Sequence, residues 1–129
     1  MMDLLLDTHV FLWWDAGADP ISPAVRDAIA NPDNRVYVSA ASVWEIAIKS
    51  SKGKLAFSGS PSAAIALNSF LPLTIDPAHA ERAGGLEWSH PDPFDRMLVA
   101  QAQARNLTLV HADGVIADYK GVAQMWARS

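Results

Sequence analysis

The chain predicts an α/β fold, a three-layer α/β/α sandwich around a central parallel sheet, on three observations. Short apolar runs recur at Leu4 to Leu6, Val36 to Val38, Leu73 to Ile75 and Leu107 to Val110. Continuous runs, rather than alternating ones, are what strands buried on both faces require. Stretches of helical length separate them, and strand and helix alternating at this spacing build βαβ units with helices over both faces of the sheet. At 129 residues the chain has the length of one domain, 1–129, and a globule of this size buries roughly two-thirds of the surface that its unfolded chain exposes.

Taken in order, Leu4 to Leu6 form the first strand and the apolar run up to Trp14 a short helix. The opening MMDLLLDTHVFLWW is broken by Asp3, Asp7 and His9. It falls short of the ~20 residues of a membrane span and has no basic region before it, so no membrane contact is expected. Further helices are predicted at Pro23 to Ala30, Ala41 to Ser50, Ser62 to Phe70, Ala78 to Gly84 and Pro93 to Arg105, with a short one after Asp113 and an edge strand at Val122 to Met125. The most loop-like stretch is Lys52 to Pro61, with Gly53, Gly59 and Pro61. No repeat or low-complexity segment interrupts the pattern. Cysteine is absent, which excludes a disulfide framework, a thiolate zinc site and a cysteine nucleophile and is compatible with a reducing, cytoplasmic location.

Four acids stand where a strand gives way to a helix or where a helix begins: Asp7, Glu45, Asp95 and Asp113. In a parallel α/β domain these positions share one edge of the sheet, so carboxylates remote in sequence can converge. Each has an ordinary explanation, because short polar side chains cap helices, and Ser42 to Glu45 and Asp92 to Asp95 have the spacing of capping boxes, with Pro93 suited to a first turn. As a set they ask for more. Ser or Thr would cap without the repulsion that several carboxylates at one edge impose. Oxygen-only ligands favour Mg²⁺ or Mn²⁺, and the usual work of such a site is activating water against a phosphodiester.

The formal charge of -4, ten Lys and Arg against fourteen Asp and Glu, argues against binding nucleic acid by bulk electrostatics. With four of the acids assigned to metal, phosphate contacts become a local matter, and Lys49, Lys52 and Lys54 lie close to Glu45. Lys49 reads as a phosphate contact or as the helical partner of Glu45 four residues back. Thr8 and Ser42 read as orienting groups or as caps, Arg96 as a substrate contact or, more simply, the partner of a neighbouring acid, and Asp92 as a cap. The four histidines, His9, His79, His90 and His111, lack metal-ligand spacing and read as surface or core residues. The tryptophans read as core or interface, and of the adjacent Trp13 and Trp14 one is expected at an exposed or dimer-buried position.

The blocks DTHVFLWW, SxxSVWEIAIKxxxGKL, HPDPFDRMLVAQA and LVHAD, in that order over residues 1 to about 126, resemble the PIN-domain ribonucleases, specifically the VapC-type toxins of bacterial toxin–antitoxin pairs. The resemblance implies that Asp7, Glu45, Asp95 and Asp113 are the acidic metal-site residues. The chain departs from the pattern in carrying His111 where Thr or Ser is usual, and Asp118 stands near Asp113. It further implies a single-stranded or looped RNA substrate, a homodimer, and a cognate antitoxin whose tail occupies the groove over the acids.

The expectation is therefore an Mg²⁺- or Mn²⁺-dependent endoribonuclease in which Asp7 and Asp95 hold the ion, Glu45 binds it or accepts the water proton, and Asp113 completes the site. Two alternatives stand beside it. A receiver-type phosphoacceptor domain has similar length and acids at strand ends, with Asp76 posing as its phosphorylated residue, although Asp7 stands alone and Lys120 lies in a DYKG turn. A PIN-like module retained only for RNA binding is the other.

Overall fold

Leu4, Leu5 and Leu6 are each wholly removed from solvent, as a strand with neighbours on both sides and helices on both faces must be. The computed structural model, which describes residues 1–18 and 20–129, places them in β1 (Asp3–Leu6). Around it lie β2 (Arg35–Ser39), β3 (Leu71–Leu73), β4 (Thr108–His111) and β5 (Gln124–Trp126). Every pair is parallel, in the order β3-β2-β1-β4-β5. The chain winds outward from β1 to one edge and then returns to fill the other side, so the winding reverses between β1 and β4. Ligands of open α/β sheets bind at such a reversal, outside the carboxyl ends of the strands. Receiver-type domains are wound 2-1-3-4-5, and the observed order removes that alternative.

The pleat divides the core in two. Leu4 and Leu6 face Phe11, Ile29, Val38, Ile46 and Ile65, where α1 (Thr8–Ala16), α2 (Pro23–Ala30), α3 (Ala40–Ser51) and α4 (Pro61–Leu67) contribute. Leu5 faces Leu98, Val99, Leu109 and Ile116 beneath α6 (Pro93–Arg105) and α7 (Gly114–Asp118), with α5 (Pro77–Gly85) packed on α6. Two cores either side of one sheet are the predicted three layers.

The differences from the sequence reading are local. β3 is Leu71–Leu73 rather than 73–75: Pro72 is tolerated on an edge strand, where a missing N–H breaks no ladder. The helix before it ends at Leu67, because the Asn68 side chain bonds back to the Ala64 carbonyl and Ser69 takes a positive φ of 60°. β5 lies at 124–126 rather than 122–125. Ser42 does not cap α3. That role falls to Ser39, whose Oγ accepts from Ala41 N–H, leaving Ser42 inside the helix and wholly buried. Asp92 does cap α6, accepting from Phe94 and Asp95 N–H, while Asp76, the posited phosphoacceptor, caps α5 in a capping box with His79.

One buried polar tie links these segments. Gln101, fully buried in α6, accepts from the Ser39 hydroxyl at 2.6 Å and donates to the Thr74 carbonyl at 3.1 Å. It thereby joins the cap of α3 to the exit of β3. Replacing it by Leu takes the acceptor from the buried Ser39 hydroxyl, a loss of ~1–3 kcal/mol, and also breaks the bond to the Thr74 carbonyl. Gln101→Leu is expected to lower stability by about 2 kcal/mol in urea unfolding, and an unchanged midpoint would show that the tie contributes nothing net.

Candidate active site

Asp7 follows β1 directly and caps α1, its Oδ1 accepting from Val10 N–H at 2.9 Å while its own N–H donates to the Val110 carbonyl of β4 at 3.0 Å. It is 5% exposed and sits at the winding reversal. Asp113 leaves β4 on the other side of that crevice and caps α7, Oδ1 accepting from Val115 N–H at 2.8 Å. Helices that connect parallel strands begin toward the carboxyl edge and run back to the amino edge, and Asp95, in the first turn of α6, and Glu45, in the first half of α3, both lie near enough to Asp7 to act on its charge. Four segments thus deliver the four predicted acids.

Their mutual field is visible at Asp7. Burial pushes its carboxyl from 3.8 up to about 7 against the lowering by Val10 N–H, and Asp95, Asp113 and Glu45 each add to the rise. Asp95 is raised too, first by burial, then by Asp92 and Asp113, against its bond to His90. The set is open rather than collapsed: among the described residues, no three of the four acids bring oxygens within 4.8 Å of one another. Each aspartate keeps one oxygen for the fold and has no protein partner on the other among the described residues, whereas Glu45 has both engaged. Thr8 Oγ1 lies 2.6 Å from Glu45 Oε1, and Lys49 Nζ donates to Oε2 at 2.8 Å. A hydroxyl has one proton, so Thr8, donating to the carboxylate, takes the Ser42 hydroxyl 2.9 Å away as its own donor.

Thr8 and Ser42 are therefore neither solvent-facing nor caps, but a buried relay that orients Glu45. Lys49 pairs with Glu45 while remaining partly exposed. Arg96 corrects the sequence reading: among the described residues it pairs with no acid. Its five N–H groups go to the carbonyls of Ala83, Gly84, Leu86, Trp88 and His90, which exhausts the guanidinium and leaves nothing for a phosphate. It clamps the loop that enters α6, and so fixes the approach of Asp95.

That loop carries a histidine that reads in the sequence as a surface or core residue and that the fold instead brings to the acids. His90 Nε2 lies 2.7 Å from Asp95 Oδ2, and His90, Asp92 and Asp95 each bring one ligand-type atom within 4.8 Å of the others. Nothing in HPDPFD announces this, since a loop with two prolines has no period from which to read a direction. His79 and His111 are core residues as expected. His111 is depressed by burial; its Nδ1 accepts from Asp113 N–H, so its proton sits on Nε2, toward Gln124 Oε1 at 2.8 Å. Neither Trp13 nor Trp14 is fully exposed: both are half-buried, Trp14 against Phe70 and under Arg26, and Trp13 at the wall of a cavity of about 340 Å³ shared with Asp7, His9, Asp113 and Arg128.

The raised carboxyl of Asp7 ties stability to pH. With 3.8 unfolded and about 7 folded, the folded state holds the proton more tightly. The resulting stability is complete below pH 4, falls as pH rises and is gone above pH 7, a change of about 4 kcal/mol without metal. Asp7→Asn keeps a capping oxygen and abolishes this titration. Urea unfolding in EDTA from pH 4 to 8 is expected to fall more steeply for wild type than for the variant, and parallel curves would place the titration elsewhere.

The PIN domain family model matches residues 4–122. No curated protein matches the sequence. Among solved structures, the chain is similar to VapBC2 from Rickettsia felis bound to a promoter DNA fragment, with TM-score 0.69 and 16% identity over 97% of this chain and 99% of that one. It is similar to a toxin–antitoxin complex from Klebsiella pneumoniae, with TM-score 0.66 and 21% identity over 95% and 96%. The DNA-bound VapBC from Salmonella typhimurium gives TM-score 0.66 and 18% identity over 97% and 98%. With the parallel sheet, the winding reversal and the acids around Asp7, this assigns the chain to the PIN-domain family.

Proposed function

We propose that the protein is an Mg²⁺- or Mn²⁺-dependent endoribonuclease and the toxin of a VapC-type toxin–antitoxin pair, acting in the cytoplasm. The observation that carries this is the convergence of Asp7, Glu45, Asp95 and Asp113 on the crevice between β1 and β4. Three aspartate oxygens without protein partners, with no sulfur among them, fit a hard divalent cation. Asp7 and Asp95 would hold it directly and Asp113 complete the set. When bound, the ion supplies Lewis-acid polarisation of the phosphodiester and lowers the pKa of the attacking water.

The chain's own residues do the rest by position. Glu45, held at both oxygens by Thr8 and Lys49, is the acceptor for the water proton, and Lys49 brings a cation beside it for the phosphate. Asp95 is steered by His90 and by the Arg96 clamp behind it. A cognate antitoxin and a homodimer belong to the same reading, supported by the likeness to toxin–antitoxin complexes. An apolar groove of about 410 Å³ between α3 and α4, where Trp44 is 61% exposed, offers such a protein partner a surface.

Purified protein is expected to cut single-stranded RNA with Mg²⁺ or Mn²⁺ and to stop in EDTA. Asp7→Asn and Asp95→Asn should each lose about 100-fold or more, as charge acting on the transition state is removed. Undiminished cleavage by both variants would refute the site, and RNA binding without cleavage by wild type would leave only a binding module.

A further inference from the structure

The chain is acidic overall, with formal charge -4, so a strand of RNA laid across the acids depends on the few cations that border them. Lys49 borders one flank, already bonded to Glu45. On the other flank is Arg128, which no motif of the sequence marks. It lines the 340 Å³ cavity together with Asp7, Asp113, His9 and Trp13, a volume within the ~300–1,000 Å³ of small-molecule pockets.

The main chain holds Arg128 in place although it is the penultimate residue. Buried Ala127 donates its N–H to the His111 carbonyl at 2.7 Å and accepts from Ser22 N–H at 2.7 Å. Arg128 itself bridges antiparallel to Ile21, and Ser129 N–H reaches the Pro20 carbonyl at 3.3 Å. Its side chain is exposed and, among the described residues, forms no ion pair within 4.0 Å, even with the two carboxylates of its own cavity. Among the described residues, this pinned backbone carries a guanidinium without an acidic partner, in contrast with Arg96, whose donors are all engaged. The same cavity is lined by the half-buried Trp13 ring, tilted 48° to His9 with centroids 6.4 Å apart.

We propose that this cavity is a nucleotide subsite beside the scissile bond, in which Arg128 forks onto a phosphate of single-stranded RNA and Trp13 stacks its base. The inference rests on the ribonuclease reading and names where the strand continues past the acids. A planar guanidinium binds two phosphate oxygens at once, and an aromatic face accepts any base.

The test uses full-length protein carrying Asp95→Asn, so that the strand stays intact, and fluorescence anisotropy of a short fluorescein-labelled single-stranded RNA over a range of NaCl. Arg128→Gln is expected to weaken binding about 10-fold at low salt and to reduce the salt slope by ~0.7, one phosphate contact. Arg128→Lys should recover the slope but only part of the affinity. Trp13→Leu should weaken binding about 10-fold with the slope unchanged. Unchanged affinity and slope in Arg128→Gln overturn the subsite. So does tighter Mn²⁺ binding by calorimetry with RNA binding intact, which would make Arg128 a counter-charge to the acids, or a loss confined to antitoxin binding. If wild type cuts RNA with metal while Arg128→Gln binds it normally, the subsite fails and the ribonuclease reading stands; if wild type neither cuts nor binds RNA, both fail.

Discussion

The carboxyl of Asp7 is buried at the point where the sheet changes its direction of winding, and most of the site's chemistry follows from keeping it there. A lone carboxylate in such a place is expensive, and in the apo protein it responds by holding its proton to about pH 7. What keeps it in place is not a partner charge. It is covalent attachment to a strand whose three leucines are fully buried, together with a cap that α1 needs. Removing the side chain from the crevice would mean withdrawing β1 from the centre of the sheet, and the apolar burial of that strand outweighs one uncomfortable acid. The core therefore holds the acid in the crevice.

The other acids are placed by lighter means. Glu45 depends on a relay of hydroxyls from Ser42 through Thr8, and Thr8 is the residue after Asp7, so the β1–α1 junction orients both carboxylates at once. Asp95 depends on a loop without regular structure, and Arg96 compensates by collecting five carbonyls that would otherwise need water. The division has a functional sense. The acid nearest the winding reversal is fixed by the core, whereas Glu45 and Asp95 ride on a helix and a clamped loop, whose small adjustments would be what closes the open set of oxygens around an ion under the proposed reading.

The layers, the parallel sheet and the meeting of the four acids around Asp7 were legible because each is written in local chemistry: apolar runs for buried strands, acids at strand-to-helix junctions. Errors arose where two local rules competed. The apolar run pointed to a strand at 73–75, whereas the strand lies at 71–73 and includes Pro72, since an edge strand does not need that N–H. Ser42 and Glu45 had the spacing of a capping box, yet Ser39 reached the helix first. Residues whose roles are set by tertiary contact were invisible in the sequence. Arg96 beside an acid looks like an ion pair, and only the fold of the loop shows that it serves carbonyls instead. His90 and Arg128 lie on segments without periodicity, so no pattern could say which way they point.

The proton on Asp7 also bears on how the site would be loaded. A carboxylate in open solvent is deprotonated at neutral pH and offers its oxygen to a cation without competition. Asp7, by contrast, would have to release a proton near neutrality to take up a cation, so under the proposed reading metal affinity would carry a pH dependence that an exposed carboxylate would lack. Burial still favours the loaded state, since the same desolvation that penalises the bare carboxylate strengthens its attraction to a divalent ion. Asp95 is raised in the same direction, first by burial and then by neighbouring acids. A repulsive cluster whose charge is reduced by protons when empty, and would be reduced by a divalent ion when filled, can reside in an acidic protein without unfolding it, and the ion would lessen its repulsion of a phosphodiester.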